Sequence, residues 1–383
     1  MRFSVLLPTR NGGKYIGDCI RSILDQDYED LELVVSDNAN TDNTSEVIAS
    51  FSGDPRLKVV RTDAPVSVID NWNNALNASS GDYILMIGDD DFLLPGYFKR
   101  IEEVIEKYDY PQGITYNGYR FIAPDAIDAN VQSYYSDPYF DFEPEFKYEG
   151  TLSSKVTQSI VRDMFDFKVR FPLNTLPHIW SRKAIDMIDG DIFRPPYPDH
   201  FALNALLLKS QKWVVLPDKL FVIGVTPDSY GHYVFNDDKK SLGNEYLGIS
   251  TNFEGRLPGN ELVNNQHVWL SLLKENFKEQ LGGMKISRAN YVRRQVYYWY
   301  CQYKYGSMPL KNFVISVGRL NCKDWVGLVS SIWDGKSLKV LLYLLKLSDG
   351  VKVDTFYYGP KPLDNIVNIK EFSDWICSKK TTF

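Results

Sequence analysis

The sequence predicts an α/β protein in which helices flank a mostly parallel sheet and a mainly helical region follows. Within residues 1–120, short apolar runs alternate with segments whose apolar residues recur at helical spacing. Repetition of strand, helix and strand gives a parallel sheet with helices on both faces. Beyond residue 260 the apolar pattern turns mostly helical and carries many Tyr and basic residues.

The individual elements of the N-terminal part follow from these patterns. Ser67 precedes one helical segment and is a candidate N-cap. The segment 124–150 is acidic and aromatic, with few aliphatic residues, and predicts a long loop over the site. The predicted strands are 4–7, 31–35, 57–60 and 83–87, and the predicted helices are 15–24, 44–51, 68–76 and 98–108.

Composition limits the class of protein. The chain has 383 residues, 44% hydrophobic and 24% charged, as expected for one large or two ordinary globular domains. A net charge of −6 gives no indication of nucleic-acid binding. The four cysteines are far apart and form no zinc pattern, which favours a reducing compartment. Because the apolar stretch before Pro8 is too short for a signal peptide, we expect a cytoplasmic protein.

Three consecutive carboxylates, Asp89, Asp90 and Asp91, follow the apolar run 83–87 and Gly88. Adjacent carboxylates at the end of a buried strand repel one another unless a cation neutralises them. Carboxylate oxygens are the ligands that Mg²⁺ and Mn²⁺ prefer. The triplet therefore predicts a divalent-metal site, with a solvated acidic turn as the alternative.

Polar side chains also follow the first two strands, as Thr9-Arg10-Asn11 and Asp37-Asn38. Ligands of parallel sheets bind at the carboxyl ends of the strands. Together with the acidic triplet, these segments resemble the nucleotide-sugar-binding half of family 2 glycosyltransferases, over residues 3–110 and more loosely over 170–235. The resemblance implies a Rossmann-like GT-A fold, with a nucleotide-sugar-binding half at 1–120, an acceptor-binding half at 121–260 and a helical region at 261–383.

The resemblance also implies roles for the polar residues. Asp37 would accept a hydrogen bond from the imide N–H of uracil, which favours a UDP-sugar donor. A turn-forming or helix-capping Asp is the alternative there, and the residues themselves favour loop and cap roles for Asn38 and Asp42. In the triplet, Asp90 would bind Mn²⁺ or Mg²⁺, Asp89 would face the ribose or the metal, and Asp91 would orient the loop or hold metal-bound water. The expected donor-binding residues are Pro8, Thr9, Arg10, Asn11, Asp37, Asn38 and Asp89.

A glycosyl transfer also needs a base for the acceptor hydroxyl. The family has a carboxylate at the start of a helix in its second half, and Asp199 in Tyr197-Pro198-Asp199-His200 matches this placement. The Glu that usually precedes it is Pro198 here, and a purely structural N-cap is the alternative. His232 is placed to assist the metal or the diphosphate, with a surface-loop histidine as the alternative reading.

The C-terminal region carries an uneven charge. Residues 270–350 hold eight more basic than acidic residues, although the whole chain is at −6. A helix rich in Arg, Tyr and Trp within 287–305 would suit the interface of an anionic membrane. The alternative is a helix that packs on the catalytic domain and keeps a solvated basic face.

These features together predict a metal-dependent inverting glycosyltransferase with a saccharide or lipid-linked saccharide acceptor. The resemblance places it in bacterial surface polysaccharide synthesis, peripheral at the inner face of the cell membrane. One alternative is a sugar nucleotidyltransferase, although Gly12-Gly13-Lys14 makes a poor phosphate loop. Another is a carbohydrate-binding protein that keeps the fold without turnover. The sequence names neither the sugar nor the acceptor.

Overall fold

The computed structural model describes residues 1–124, 126, 132–227, 229, 253–304, 308–330 and 360–380. The chain forms two compact units. Unit 1 comprises Met1–Val161, Val169–Ser229 and Pro360–Phe383, and unit 2 comprises Arg162–Lys168 and Tyr230–Gly359. These units differ from the three consecutive ranges expected from the sequence, because the last strand and helix of the chain belong to unit 1.

The first part of unit 1 follows the predicted order of elements. It contains β1 (Phe3–Thr9), α1 (Ile16–Leu24), β2 (Leu31–Asp37), α2 (Thr44–Ala49), β3 (Leu57–Arg61), α3 (Val68–Asn77), β4 (Tyr83–Met86), β5 (Phe92–Leu93) and α4 (Tyr97–Lys107). The predicted N-cap of α3 is confirmed, because the Ser67 hydroxyl accepts a hydrogen bond from the Asp70 backbone N–H at 3.1 Å.

The remaining described elements vary more in length. They are β6 (Gly113–Ile122), β7 (Ser133–Ser136), β8 (Gly150–Ser153), α5 (Ser154–Phe165), β9 (His178–Ser181), α6 (Arg182–Ile185), α7 (Pro198–Lys209), β10 (Lys212–Val225), α8 (Glu261–Asn276), α9 (Lys278–Leu281), α10 (Arg288–Lys304), α11 (Leu310–Gly318), α12 (Cys322–Ser330), β11 (Lys361–Leu363) and α13 (Ile369–Lys380).

The prediction that 124–150 is one long loop is wrong for part of that segment. It includes β7 and a single 3₁₀ turn at Pro144–Phe146. The rings of Phe142 and Phe146 are buried and pack on Phe171, with ring centroids 6.1 and 5.2 Å away. Aromatic side chains here supply the apolar burial that aliphatic residues supply elsewhere in the sheet.

One large sheet forms the centre of unit 1. Its strand order is β11-β7-β6-β9-β4-β1-β2-β3, and β10 pairs with β5, β6 and β8. The predicted α/β class is confirmed, but the continuous parallel part is β3-β2-β1-β4, the strands that the strand–helix repeats contribute. The pairings β4/β9, β9/β6, β6/β7 and β7/β11 are antiparallel.

The parallel strands bring their carboxyl ends to one edge of the sheet. Thr9, the last residue of β1, lies in register with Asp37, the last residue of β2. On the other side of β1, β4 ends at Met86, and only Ile87 and Gly88 separate it from the acidic triplet. Because β1 pairs with β2 and β4, the chain segments after all three strands emerge next to one another.

Unit 2 is built around α10, whose Tyr291, Val292 and Trp299 are buried in its hydrophobic core. The Tyr291 hydroxyl donates a hydrogen bond to Asn264 Oδ1 of α8 at 2.6 Å, and Gln295 Nε2 donates to the same oxygen at 2.9 Å. Tyr291 and Trp299 of the aromatic helix expected at a membrane surface are therefore interior, whereas its other described aromatic residues are half-buried. Within the described residues, no helix has the length and apolar character needed to cross a membrane.

Candidate active site

The acidic triplet lies between the carboxyl end of β1 and the last part of β10. Asp89 Oδ2 accepts a hydrogen bond from the Thr9 hydroxyl at 2.6 Å. A Cβ on Gly12 would collide with the same carboxylate, so the loop after β1 passes directly over it. Desolvation, together with the nearby charge of Asp90, raises the pKa of Asp89 to about 7.

The Asp91 carboxylate accepts hydrogen bonds from two backbone N–H groups, one in β10 and one directly before the triplet. Its Oδ1 accepts a hydrogen bond from the Gly224 N–H of β10 at 2.9 Å, and its Oδ2 accepts one from Gly88 N–H at 3.0 Å. Desolvation, with the charge of Asp90, raises the pKa of this buried carboxyl well above its ordinary value. Of the two roles that the resemblance implied for Asp91, these bonds favour orientation of the loop over contact with a metal.

Asp90 faces the segment that follows β10. Its Oδ2 accepts hydrogen bonds from the hydroxyls of Ser229 at 2.7 Å and Thr226 at 3.2 Å. A Cβ on Gly224 would collide with the Asp90 carbonyl oxygen, which explains why the backbone of β10 can lie so close. Thr226, Ser229 and Gly224 had no signal in the sequence that linked them to the triplet, because more than 130 residues separate them.

The carboxylates of the triplet would supply only some of the ligands of a metal ion. Among the residues that the structure describes, no three His, Cys, Asp or Glu side chains converge as a ready-made metal cage. Mg²⁺ and similar ions are commonly bound by one or two carboxylates together with substrate phosphates. Desolvation of Asp89 and its repulsion by Asp90 are what such a cation would relieve.

Asp37 is buried and fully engaged within its own loop. Its Oδ2 accepts from Arg61 Nε at 2.9 Å, Arg61 Nη2 at 2.7 Å and the Ser45 hydroxyl at 2.7 Å. Its Oδ1 accepts from the backbone and side-chain N–H groups of Asn40 at 3.1 and 2.7 Å. Desolvation opposes ionisation, but these bonds win and lower the pKa of Asp37. An imide N–H would have to displace one of these donors.

The other expected donor-binding residues form the loops around Asp37. The Asn38 amide bonds to the Val66 backbone, donating at 3.0 Å and accepting at 2.8 Å. Arg10 is exposed and its Nη1 donates to the Asn38 carbonyl oxygen at 3.3 Å. Asn11 has a φ of 57° and its Oδ1 accepts from Thr41 N–H at 2.8 Å. Pro8, the penultimate residue of β1, is opposite Ser36 in the register.

Asp199 lies in the first turn of α7. The N-cap position belongs to Tyr197, and Asp199 Oδ1 accepts the His200 backbone N–H at 2.9 Å. Desolvation raises the pKa of Asp199 to about 7, despite that bond. Desolvation also lowers the pKa of His200 to about 3, so this histidine is neutral at physiological pH.

The charges of Asp91 and Asp199 both act on Tyr139, a residue that the sequence had not singled out. Burial raises the pKa of its hydroxyl, and the charges of Asp91 and Asp199 both act in the same direction. The Arg120 guanidinium lies 4.8 Å from the centre of the Tyr139 ring and opposes that shift. Asp91 and Asp199 therefore both lie within electrostatic range of one phenol. His232, the remaining expected site residue, lies outside the described residues.

Residues 4–159 match the family model described as glycosyl transferase family 2. This part of the chain belongs to glycosyltransferase family 2. The chain is 27% identical over 107 residues to glycosyltransferase GlyG of Streptococcus pneumoniae, a match that covers 28% of the chain and 36% of GlyG. It is 35% identical over 97 residues to a GalNAc(5)-diNAcBac-PP-undecaprenol beta-1,3-glucosyltransferase of Campylobacter jejuni, covering 25% of the chain and 31% of that protein.

The matches to these curated relatives span only about a third of their length. Among solved structures, the crystal structure of S. aureus TarS 1-349 in complex with UDP-GlcNAc superposes with a TM-score of 0.51. That superposition covers 87% of the chain and 80% of the TarS chain at 15% identity. At that identity the likeness concerns the fold alone, and the chain has a GT-A fold.

Proposed function

We propose that the protein is an inverting glycosyltransferase that transfers a sugar from a nucleotide-diphosphate donor, with UDP favoured, to a hydroxyl acceptor. The single observation that carries the proposal is the convergence of the triplet with the ends of β1 and β10, where Thr9 donates to Asp89 and both Thr226 and Ser229 donate to Asp90. Asp199, a carboxylate of raised pKa, supports the proposal because its charge and that of Asp91 both act on the phenol of Tyr139. The family match of residues 4–159 supports the same class of reaction.

Asp199 would act as the general base. A carboxylate with a pKa of about 7 can hold a proton taken from an acceptor hydroxyl at neutral pH. The deprotonated oxygen forms a bond to the anomeric carbon, and the bond from that carbon to the diphosphate oxygen breaks. The nucleoside diphosphate leaves with the electron pair. A single displacement of this kind inverts the anomeric configuration.

Asp90, with Asp89 beside it, would hold Mn²⁺ or Mg²⁺ together with the donor phosphates. The metal would supply charge stabilisation to the departing diphosphate. Asp91 keeps the triplet in place through its bonds to Gly224 and Gly88, and Thr9 fixes Asp89. These residues pre-organise the site, and none of them needs to move a proton.

The acceptor class remains a saccharide or a lipid-linked saccharide of a surface glycan. The Campylobacter jejuni relative carries an undecaprenol-linked acceptor in its name, which supports the lipid-linked class for this chain. For the donor, the TarS structure contains UDP-GlcNAc, and Asp37 at the end of β2 supports a uracil base in the way the family resemblance implies.

The test combines calorimetry and turnover. UDP should bind in the presence of Mn²⁺ and GDP should bind at least about tenfold more weakly. Asp90→Ala should abolish the metal-dependent part of UDP binding and leave the fold intact, whereas Asp27→Ala, at an exposed Asp paired with exposed Lys99, should change nothing. Release of UDP from UDP-sugars that requires an acceptor supports a transferase. Pyrophosphate exchange would instead indicate a nucleotidyltransferase, and binding without any turnover a carbohydrate-binding protein.

A further inference from the structure

Two consecutive helices of unit 2, α11 and α12, expose an unusual number of large apolar side chains. Half of the exposed large hydrophobic residues in the described part of the chain lie between Leu310 and Val329. They are Leu310, Val314 and Ile315 on α11, and Trp325, Val326 and Val329 on α12. Scattered exposed apolar residues are ordinary, but a concentration of this kind marks an interaction surface.

On α12 the exposed residues follow a single stripe. Cys322, Trp325, Val326 and Val329 recur at the spacing i, i+3, i+4 and i+7, and all four are exposed. Val326 is 69% exposed and Val329 is 55% exposed. Beside this stripe, Leu328 packs against the core of unit 2, so α12 carries apolar residues both on its core-facing side and on its exposed side. Packing against the core of unit 2 accounts for the apolar residues of the core-facing side only.

The position of α12 is fixed by α10. Arg288 Nε and Nη2 each donate to one carboxylate oxygen of Asp324 at 2.9 Å, a bidentate pair in which Asp324 is buried. A Cβ on Gly327 would lie 3.2 Å from Ala289 Cβ, which shows how closely the two helices approach. In the same way, Phe313 and Val317 attach α11 to the core. The exposed stripe is therefore presented by an ordered scaffold.

The exposed charged residues between residues 308 and 330 are all basic. Lys311, Arg319 and Lys323 are exposed, and between residues 308 and 330 the only acidic residue is Asp324, which is buried and paired with Arg288. An apolar stripe flanked by exposed cations and without an exposed anion is complementary to an anionic lipid surface. A symmetric contact between two copies of this face would bring the cations together, which disfavours a homodimer.

We propose that α11 and α12 form a docking surface for an anionic bilayer, with Trp325, Val326 and Val329 at the level of the lipid headgroups and Lys311, Arg319 and Lys323 facing the phosphates. This surface differs from the predicted one on α10, two of whose aromatic residues, Tyr291 and Trp299, are buried in the core. The inference does not depend on the proposed activity, because no residue of the surface belongs to the candidate active site.

Sedimentation of the full chain with phosphatidylcholine vesicles, with and without phosphatidylglycerol, tests the inference. We expect binding to the anionic vesicles at low salt and release at high salt, because the charge attraction fades within a Debye length. Val329→Gln should lower the partition coefficient about fivefold. The matched control is Val367→Gln in unit 1, which is 56% exposed and should have no effect. Lys323→Gln should lower the coefficient about fivefold, and Lys285→Gln, at another exposed lysine of unit 2, clearly less.

A second readout reports which face meets the lipid. Cys322 is exposed within the stripe, whereas Cys19 and Cys301 are buried. In a Cys377→Ser background, an environment-sensitive fluorophore on Cys322 should shift to shorter wavelength when anionic vesicles are added. Absence of wild-type binding at low salt overturns the inference, as does binding that Val329→Gln and Lys323→Gln leave unchanged. A chain that dimerises, ignores vesicles and becomes monomeric with Val329→Gln would show that the face joins two copies instead.

Discussion

Thr9 donates a hydrogen bond to Asp89 Oδ2 at 2.6 Å, and this bond ties the carboxyl end of β1 to the acidic triplet after β4. The two residues are 80 positions apart in the chain. The bond stabilises the ionised form of Asp89 against desolvation and the charge of Asp90. A single hydroxyl thereby helps to keep a crowded carboxylate available for a cation.

The contribution of that hydroxyl is testable with Thr9→Val, which suits a buried strand and removes only the donor. Loss of the bond should raise the pKa of Asp89 further and lower Mn²⁺-dependent UDP affinity by about five- to tenfold. Calorimetry at neutral pH measures the change. Thr157→Val is the control, because Thr157 is also buried and its hydroxyl donates to Ser154 within a helix. Equal affinities for wild type and Thr9→Val would contradict the assigned role.

The base assignment predicts a kinetic signature for Asp199→Asn. This change keeps an oxygen for the His200 N–H but removes basicity, so kcat should fall by a factor on the order of 10² or more, with donor affinity nearly unchanged. In the wild type, kcat should rise with pH through about 7, since only the ionised carboxylate accepts a proton. Asp199→Asn should lack this rise of kcat with pH.

The matched control is Glu371→Gln, a first-turn carboxylate of α13 that likewise accepts a backbone N–H, from Val367 at 2.9 Å. It should leave kcat and its pH dependence unaltered. If Asp199→Asn retained normal turnover per folded molecule, Asp199 would be a structural residue of the helix start.

The same carboxyl predicts a pH-dependent cost to stability. A pKa raised to about 7 in the folded state means that folding favours the protonated form of Asp199. The stability that the protonated carboxyl contributes is therefore present at low pH and is lost as the pH rises through about 7. Above pH about 8, Asp199→Asn should therefore be more stable than the wild type, by about 1–2 kcal/mol after allowance for partial solvent exposure.

Denaturant unfolding over this pH range measures the difference. The gain should shrink toward zero at pH about 4, where Asp199 is protonated in the folded state. A gain that is constant with pH would point to a helix-propensity effect instead of relief of an unfavourable charge.

A pair of variants separates base recognition from loop structure at Asp37. Asp37→Asn and Arg61→Gln both break the same ion pair, in which the Arg61 side chain is 60% exposed. An exposed partner adds little stability, so we expect Arg61→Gln to leave UDP affinity within about threefold of the wild type. Asp37→Asn should lower it by about tenfold or more, because the charged acceptor for an imide N–H is replaced by a weaker amide oxygen and one acceptor oxygen becomes a donor.

Calorimetry with UDP and with uridine checks this pair. A matching loss with both variants would show that Asp37 serves only to order the loop through Arg61, Ser45 and Asn40. A loss confined to Asp37→Asn supports contact with the base.

The sequence by itself determined the parallel part of the sheet and the place of the site within it. Apolar runs and helical periodicity are local properties, so β1, β2, β3, β4 and the capped start of α3 could be read directly. Because parallel strands end at a common edge, the polar residues after β1, β2 and β4 had to converge.

Only the tertiary structure decided what those residues contact. Asp91 accepts a hydrogen bond from the backbone of Gly224, and Asp90 accepts hydrogen bonds from Thr226 and Ser229, so these contacts join distant parts of the chain. In the folded protein Trp299 is buried and Trp325 is exposed, although both lie in basic helical segments. Local patterns specify which face of a helix or strand is apolar. Which other element packs against that face depends on contacts between segments that are distant in the chain, and local patterns do not specify those contacts.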